Sequence, residues 1–299
     1  MAGYKNIVLI GASGDIGKII LDGLVASSSF HITVLSRKES KASFPAGITV
    51  CKSDFSDADL EAVFNGQDAV ISAVGATAFG EQKKIVDAAI RSGVQRFIPS
   101  EFSSNSQNEA VLKLAPFFGQ KKELIEYLKT KQSDGLSWTA IATSALLDWG
   151  LGNGFLEFDV ANRTATIWDG GNQSFTLTNE KQLGEAVVSV LQQPQETSNK
   201  YLYIASVETT QNEIVAALEE ATGAKWSVKA TTTEEQVGEG FKKLGAGDFS
   251  GAFHLVRATC FGNTPCLQAN YAKDLNLAND VLGLKMESVR DTVKRVVAQ

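Results

Sequence analysis

The sequence predicts an α/β protein: a doubly wound parallel sheet in the first half, with the second half packed on it as a lobe. Three observations predict it. A glycine-rich stretch, Gly11-Ala12-Ser13-Gly14-Asp15-Ile16-Gly17, lies between a short apolar run and an amphipathic segment. Short runs rich in Val and Ile then alternate with helical patterns as far as Ala142. No repeat, low-complexity tract or polar linker divides the two halves. Alternation at this spacing makes right-handed βαβ units whose strands are buried on both faces.

The elements follow in order. Strands are expected at Asn6–Ile10, His31–Leu35, Ile48–Lys52, Ala69–Val74, Arg96–Pro99 and Trp138–Ala142. Each is short, apolar and continuous, as a strand covered on both faces should be. Helices are expected at Asp15–Ala26, Asp57–Phe64, Glu81–Arg91 and Gly119–Lys131, where apolar residues recur at helical spacing. The second half is less regular. Thr164–Trp168 and Ser174–Thr178 read as strands joined by an Asp169-Gly170-Gly171-Asn172 turn. Asn179 is placed to N-cap a helix through Leu191, and Tyr201–Ala205 reads as a strand. Thr210–Ala221 is a patterned helix closed by Gly223, and the tail from Met286 to Val297 is helical.

The glycine stretch carries the first functional meaning. A strand before it and a helix after it are the context of a Rossmann dinucleotide fingerprint, here spaced G-x-x-G-x-x-G. Small residues let backbone N–H groups approach a pyrophosphate, whose charge the helix N-terminus favours. Gly11, Ser13, Gly14, Asp15, Ile16 and Gly17 are therefore candidate cofactor contacts. The end of the second strand then selects the dinucleotide. An NAD site needs a carboxylate there for the ribose hydroxyls. The chain reads Ser36-Arg37-Lys38 instead, and a guanidinium matches a 2′-phosphate bidentately. The cofactor expected is NADP(H), held by Ser36, Arg37 and Lys38.

Composition bounds the rest. The chain has 299 residues, 43% of them hydrophobic and 21% charged, with a net charge of −6. An acidic balance argues against a nucleic-acid or anionic-membrane partner, which a basic face would serve. Three cysteines without a C-x-x-C pair suggest neither a disulfide framework nor a metal site. With no leader-like segment and no long apolar span, the expected location is cytoplasmic. His31 and His254 have no metal-spaced or triad partners.

Four segments together resemble one family, the isoflavone reductase-like branch of the atypical short-chain reductases, with NmrA-like proteins as close relatives. They are Gly11–Gly17, Ser36-Arg37, Asp68–Gly75 followed by Gln82, and Val94–Phe102 with its Arg96-Phe97-Ile98-Pro99-Ser100-Glu101-Phe102 core. The resemblance implies a two-lobed fold, residues 1–150 binding NADP(H) and 151–299 forming a smaller, interleaved substrate lobe. About 179–206 return to the sheet. It implies a small aromatic, phenylpropanoid- or polyketide-like carbonyl or enone substrate and a monomer or homodimer. It places the family lysine at Lys121, as proton donor and oxyanion stabiliser. It also implies that Asp54, Val74, Gly75, Ser100, Lys121, Thr143 and Ser144 lie along the cofactor, and that Phe102, Phe118, Trp149 and Phe155 line the substrate pocket. Tyr127 and Lys131 form a Y-x-x-x-K pair, but late on their helix and two turns past Lys121. Ser103 follows Phe102 where plant members usually carry glycine. The competing functions are an NADP(H)-sensing regulator without turnover and an isomerase on the same fold.

Overall fold

The computed structural model describes residues 3–298, so Gln299 and the first two residues of the expected 1–150 unit lie outside it. The strands are β1 Asn6–Ile10, β2 His31–Arg37, β3 Thr49–Ser53, β4 Ala69–Ser72, β5 Arg96–Ile98, β6 Ser137–Ala142, β7 Phe158–Asp159, β8 Thr164–Trp168, β9 Phe175–Leu177, β10 Lys200–Tyr203, β11 Val207–Thr209 and β12 Ser227–Thr231. The helices are α1 Asp15–Ser27, α2 Asp57–Phe64, α3 Gln82–Arg91, α4 Glu109–Leu114, α5 Gly119–Thr130, α6 Leu147–Gly152, α7 Glu180–Gln192, α8 Gln211–Thr222, α9 Thr233–Gly245, α10 Gly251–Phe261, α11 Tyr271–Asp274, α12 Asn279–Leu282 and α13 Val289–Val297. Among these residues no helix is long and apolar enough to cross a membrane.

Seven strands form one parallel sheet in the order β10-β6-β5-β4-β1-β2-β3. This is a Rossmann arrangement, and its strand order reverses between β1 and β4. Ligands of open α/β sheets bind at such a switch point, beyond the strand C-termini. One face of the sheet packs on Ile20 and Leu24 of α1 with Val187 and Val190 of α7. The other packs on Leu60 and Phe64 of α2, Val86 of α3 and Leu124 of α5. β10 and α7 thus return the 179–206 stretch to the sheet.

A third core, built on Trp168, Phe175 and Phe261, belongs to the second lobe. It also draws Ala110, Val111, Leu114 and Phe118 from the first half of the chain. Residue 150 is therefore no clean border, because α4 and the 3-10 turn Pro116–Phe118 pack across it. The Asp169-Gly170-Gly171 turn forms, with φ of 47°, 83° and 73°. It does not close a hairpin. β8 pairs with β7 and, in parallel, with β12, while β9 pairs with β11. Asn179 does precede α7, but its side chain donates to Thr292 Oγ1 at 2.7 Å. The helix N-terminus is capped by the Asp148 carboxylate, which accepts from Glu180 N at 3.0 and 3.2 Å.

Arg96 ties the sheet to the loop ahead of β10. It is 1% exposed, and its guanidinium donates to Ser137 Oγ at 2.8 Å, Thr139 Oγ1, Thr197 Oγ1 at 3.1 Å and Pro194 O at 2.6 Å. Burial lowers its affinity for its proton, and neutral oxygens spread around the fork offset that cost.

The glycine turn joins β1, β4 and α1 by backbone contact. A Cβ on Gly11, whose φ is +83°, would lie 2.4 Å from Ala73 O. A Cβ on Gly17 would lie 2.0 Å from Gly11 O. At Gly14 the nearest atom, Gly11 O, would be 3.6 Å away, an ordinary contact. The protein's own packing demands the first and third glycines and leaves space at the second. Gly17→Ala is accordingly expected to cost about 1–3 kcal/mol or more in urea unfolding. Gly14→Ala should stay within about 0.5 kcal/mol of the parent. Equal stability of the two variants would contradict this account of the turn.

Candidate active site

A cavity of about 380 Å³ opens at the C-terminal ends of β1, β2 and β4. Of the residues the sequence nominated, Gly11, Ser13, Gly14, Ser36, Arg37, Val74 and Gly75 line it. Asp15 and Ile16 begin α1 at its edge. Gly17 does not face the cavity; it is buried beneath the turn, against the Gly11 carbonyl. Sequence reasoning missed Phe44, Phe55, Thr77 and Lys84, which also line the space. Phe55 had a readable signal, since it lies two residues past the end of β3. Phe44 sits in an irregular loop and had none.

The basic strand end divides. Arg37 is exposed, lines the cavity, and has no carboxylate partner among the described residues. Lys38 turns away. Its ammonium meets Asp54 at 2.8 Å and Asp59 at 3.7 Å. Lys38 and the Ser56 hydroxyl and amide hold Asp54 well below the usual carboxylate range. Neither Lys38 nor Asp54 lines the cavity, because each satisfies the other's charge.

The second group of nominated residues gathers at the ends of β5 and β6. Ser100 Oγ donates to Val74 O at 2.8 Å, and Ser100 N donates to Gln82 Oε1 at 3.0 Å. These bonds join the ends of β4 and β5 to α3. Thr143 N and Ser144 N both donate to Ser103 O, at 3.0 and 3.2 Å. Ser144 adopts a left-handed φ of 56°, which lets two successive amides face one carbonyl.

Lys121 lies among them, 4% exposed on α5. Its ammonium donates to Glu101 O and to Ser103 Oγ, each at 2.7 Å. The rings of Phe79 and Phe118 flank it, with centroids at 4.8 Å. Burial pulls its pKa down to about 8, against an upward pull from the Glu101 carboxylate. Glu101 is itself buried, and that burial raises its pKa. One of its oxygens accepts from Tyr201 OH at 2.8 Å and the other, Oε1, has no partner. Lys122 faces away and pairs with Glu109.

The aromatic nominees separate. Phe102 is 6% exposed in the core under α1 and α7, so it does not form an open wall. Phe118 is 4% exposed and spends its face on Lys121. Trp149 and Phe155 are half-buried and pack with their rings tilted, centroids 5.3 Å apart, and Phe155 meets Phe253 edge-on at 5.7 Å. Phe253 escaped sequence reasoning, since it comes from α10. The Tyr127 and Lys131 pair is structural. Tyr127 OH bonds Asp87, and burial, then Asp87, raises its pKa rather than lowering it.

This arrangement can hold a nucleotide against the glycine turn, and it desolvates one ammonium near the ends of β5 and β6, behind the residues that line the cavity. The chain matches the family model described as NmrA-like over residues 3–244. It is 37% identical over 296 residues to the oxidoreductase aprR of Aspergillus flavus, covering 98% of each chain. It is 29% identical over 256 residues to an isoflavone reductase homolog of Solanum tuberosum, covering 79% of this chain and 80% of that one. The solved structure of AtPrR2 with NADP+ and (+)pinoresinol shares its fold, with a TM-score of 0.78 at 19% identity over 99% of this chain and 100% of that one. A family match across most of the chain, joined to a relative similar from end to end, leads to one conclusion: the protein belongs to the NmrA-like family, among its isoflavone reductase-like oxidoreductases.

Proposed function

We propose that the protein is an NADPH-dependent reductase of a small aromatic carbonyl or enone compound, with Lys121 as proton donor and oxyanion stabiliser. The observation that carries the reading is the burial of Lys121 with its ammonium bonded only to neutral oxygens. A lysine kept for structure alone gains more from a carboxylate or from water. A desolvated one has an acidified proton, suited to donation near neutral pH.

When bound, NADPH supplies the hydride. The chain's residues supply binding, orientation and the proton. Gly11, Ser13 and Gly14 would hold the pyrophosphate at the start of α1, where Gly14 leaves room for it. Arg37 would pair with the 2′-phosphate, its charge uncommitted within the protein. Val74 and Gly75 would face the ribose. Ser100, Thr143 and Ser144 would border the nicotinamide, at the ends of β5 and β6. The Trp149, Phe155 and Phe253 cluster is the aromatic wall best placed by exposure to meet an aromatic substrate. The relatives' names as oxidoreductases and an isoflavone reductase homolog favour the same class.

NADPH oxidation against a panel of aromatic aldehydes, ketones and enones tests the reading. Tight NADPH binding with no turnover across the panel would favour the sensing alternative. Lys121→Ala is expected to lower kcat by about 10²- to 10⁴-fold with NADPH affinity retained. Because the donor must be protonated, kcat should hold steady below pH 8 and fall as pH rises through about 8. A decline beginning near 10.5 would mean an unperturbed lysine. Arg37→Ala is expected to weaken NADPH binding about 10- to 100-fold, the worth of a charge-assisted bond, and to leave NADH binding unchanged. Equal losses for both dinucleotides would remove Arg37 from the 2′-phosphate.

A further inference from the structure

We propose that Ser103 is a second catalytic residue, whose hydroxyl passes the proton from Lys121 to the substrate oxygen. The inference rests on the reductase reading above and adds the path of the proton.

Three observations carry it. From Arg96 to Ser106 every residue is buried except Ser103, which is half-buried. Ser103 is thus the point at which this stretch reaches open space. Its Oγ accepts from Lys121 Nζ at 2.7 Å. The other sides of the amine are taken by the Glu101 carbonyl and the two phenylalanine rings. A substrate oxygen that reached the amine from the half-buried side would meet the serine hydroxyl first. The hydroxyl's own proton has only a long contact, 3.5 Å, with Ser104 O. A hydroxyl accepts and donates at once, so it can hold the lysine on one side and a substrate oxygen on the other.

The backbone holds this group in place. Ser103 O accepts from both Thr143 N and Ser144 N, so the residue is clamped to the end of β6. Each half of the relay is therefore anchored separately, Lys121 on α5 and Ser103 in the loop after β5, bonded to the residues that follow β6.

The step balances as follows. Hydride adds to the substrate carbon, and the C=O electron pair moves onto oxygen. That oxygen takes the proton of Ser103 Oγ, and Oγ takes a proton from Lys121 Nζ. The substrate is reduced by two electrons and NADPH is oxidised to NADP+. Lys121, left neutral, recovers its proton from water.

Ser103→Ala and Ser103→Thr, each checked by thermal melting against the parent, test the relay. The first readout is independent of turnover: competitive acetylation of Lys121 by acetic anhydride across pH, read by mass spectrometry. Removing the serine oxygen takes an acceptor from the charged amine, so the Lys121 midpoint should fall in Ser103→Ala and recover in Ser103→Thr. An unchanged midpoint in Ser103→Ala overturns the proposal. The second readout uses the panel compound that the parent reduces fastest. Ser103→Ala should lose about tenfold or more in kcat with little change in KM, and Ser103→Thr should restore it. A proton inventory in mixed H₂O and D₂O should curve for the parent, with two protons in flight, and become linear in Ser103→Ala. Full turnover in Ser103→Ala, with turnover lost in Lys121→Ala, overturns the relay and leaves the lysine reading standing. Full turnover in Lys121→Ala overturns both, and so is told apart.

Discussion

The site depends on one constraint, the contact of backbone with backbone where β1 turns into α1. Gly11 lies against the Ala73 carbonyl beyond β4, and Gly17 lies against Gly11. No side chain fits at either place. The helix start is thereby fixed over the gap between β1 and β4, where the winding of the sheet reverses. The turn thereby sets the positive end of a helix over the cavity without any basic side chain at the turn, an arrangement that favours an anion. The space left at Gly14 is the complement of that tightness. It is the one glycine of the three that the protein does not need for itself.

Lys121 shows the opposite economy. Its burial costs free energy that a carboxylate bond could have offset. The fold instead offers a carbonyl, a hydroxyl and two aromatic faces. These partners satisfy the ammonium's geometry without neutralising it, so desolvation still outweighs them and the pKa falls to about 8. The Glu101 carboxylate is close enough to moderate this effect, and its own bond goes to Tyr201. Phe79 and Phe118, which flank the ammonium, belong to the core of the second lobe, and Glu101 lies just past β5.

Much of the fold was legible because local spacing carries it. The six first-half strands appear within two residues of their expected ends, and α1, α2, α3 and α5 within one. Those segments combine strong apolar periodicity with clear punctuation. Legibility failed where pairing is long-range or weakly patterned. The β12 strand Ser227–Thr231 is short and largely exposed, with only Val228 and Ala230 apolar, and its partner β8 lies about sixty residues earlier in the chain. The Asp169–Asn172 turn looked like a hairpin because its glycines are right for one, but its flanking strands find better partners elsewhere. Asn179 looked like a cap, and a carboxylate from α6 took the role.

The sequence by itself determined the sheet, the dinucleotide turn and the arginine at the end of β2. Each is encoded in residues close together in the chain, where sterics and periodicity act directly. Only the tertiary structure decided which charges are free and which groups are dry. It paired Lys38 with Asp54 and left Arg37 open. It buried Lys121 while leaving Lys122, one position on, half-buried and paired with Glu109. It set Phe102 in a core and brought Phe253 beside Phe155. Desolvation and charge pairing are properties of surroundings, and those surroundings come from segments tens of residues apart. The lowered proton affinity of Lys121 resides in that assembled environment.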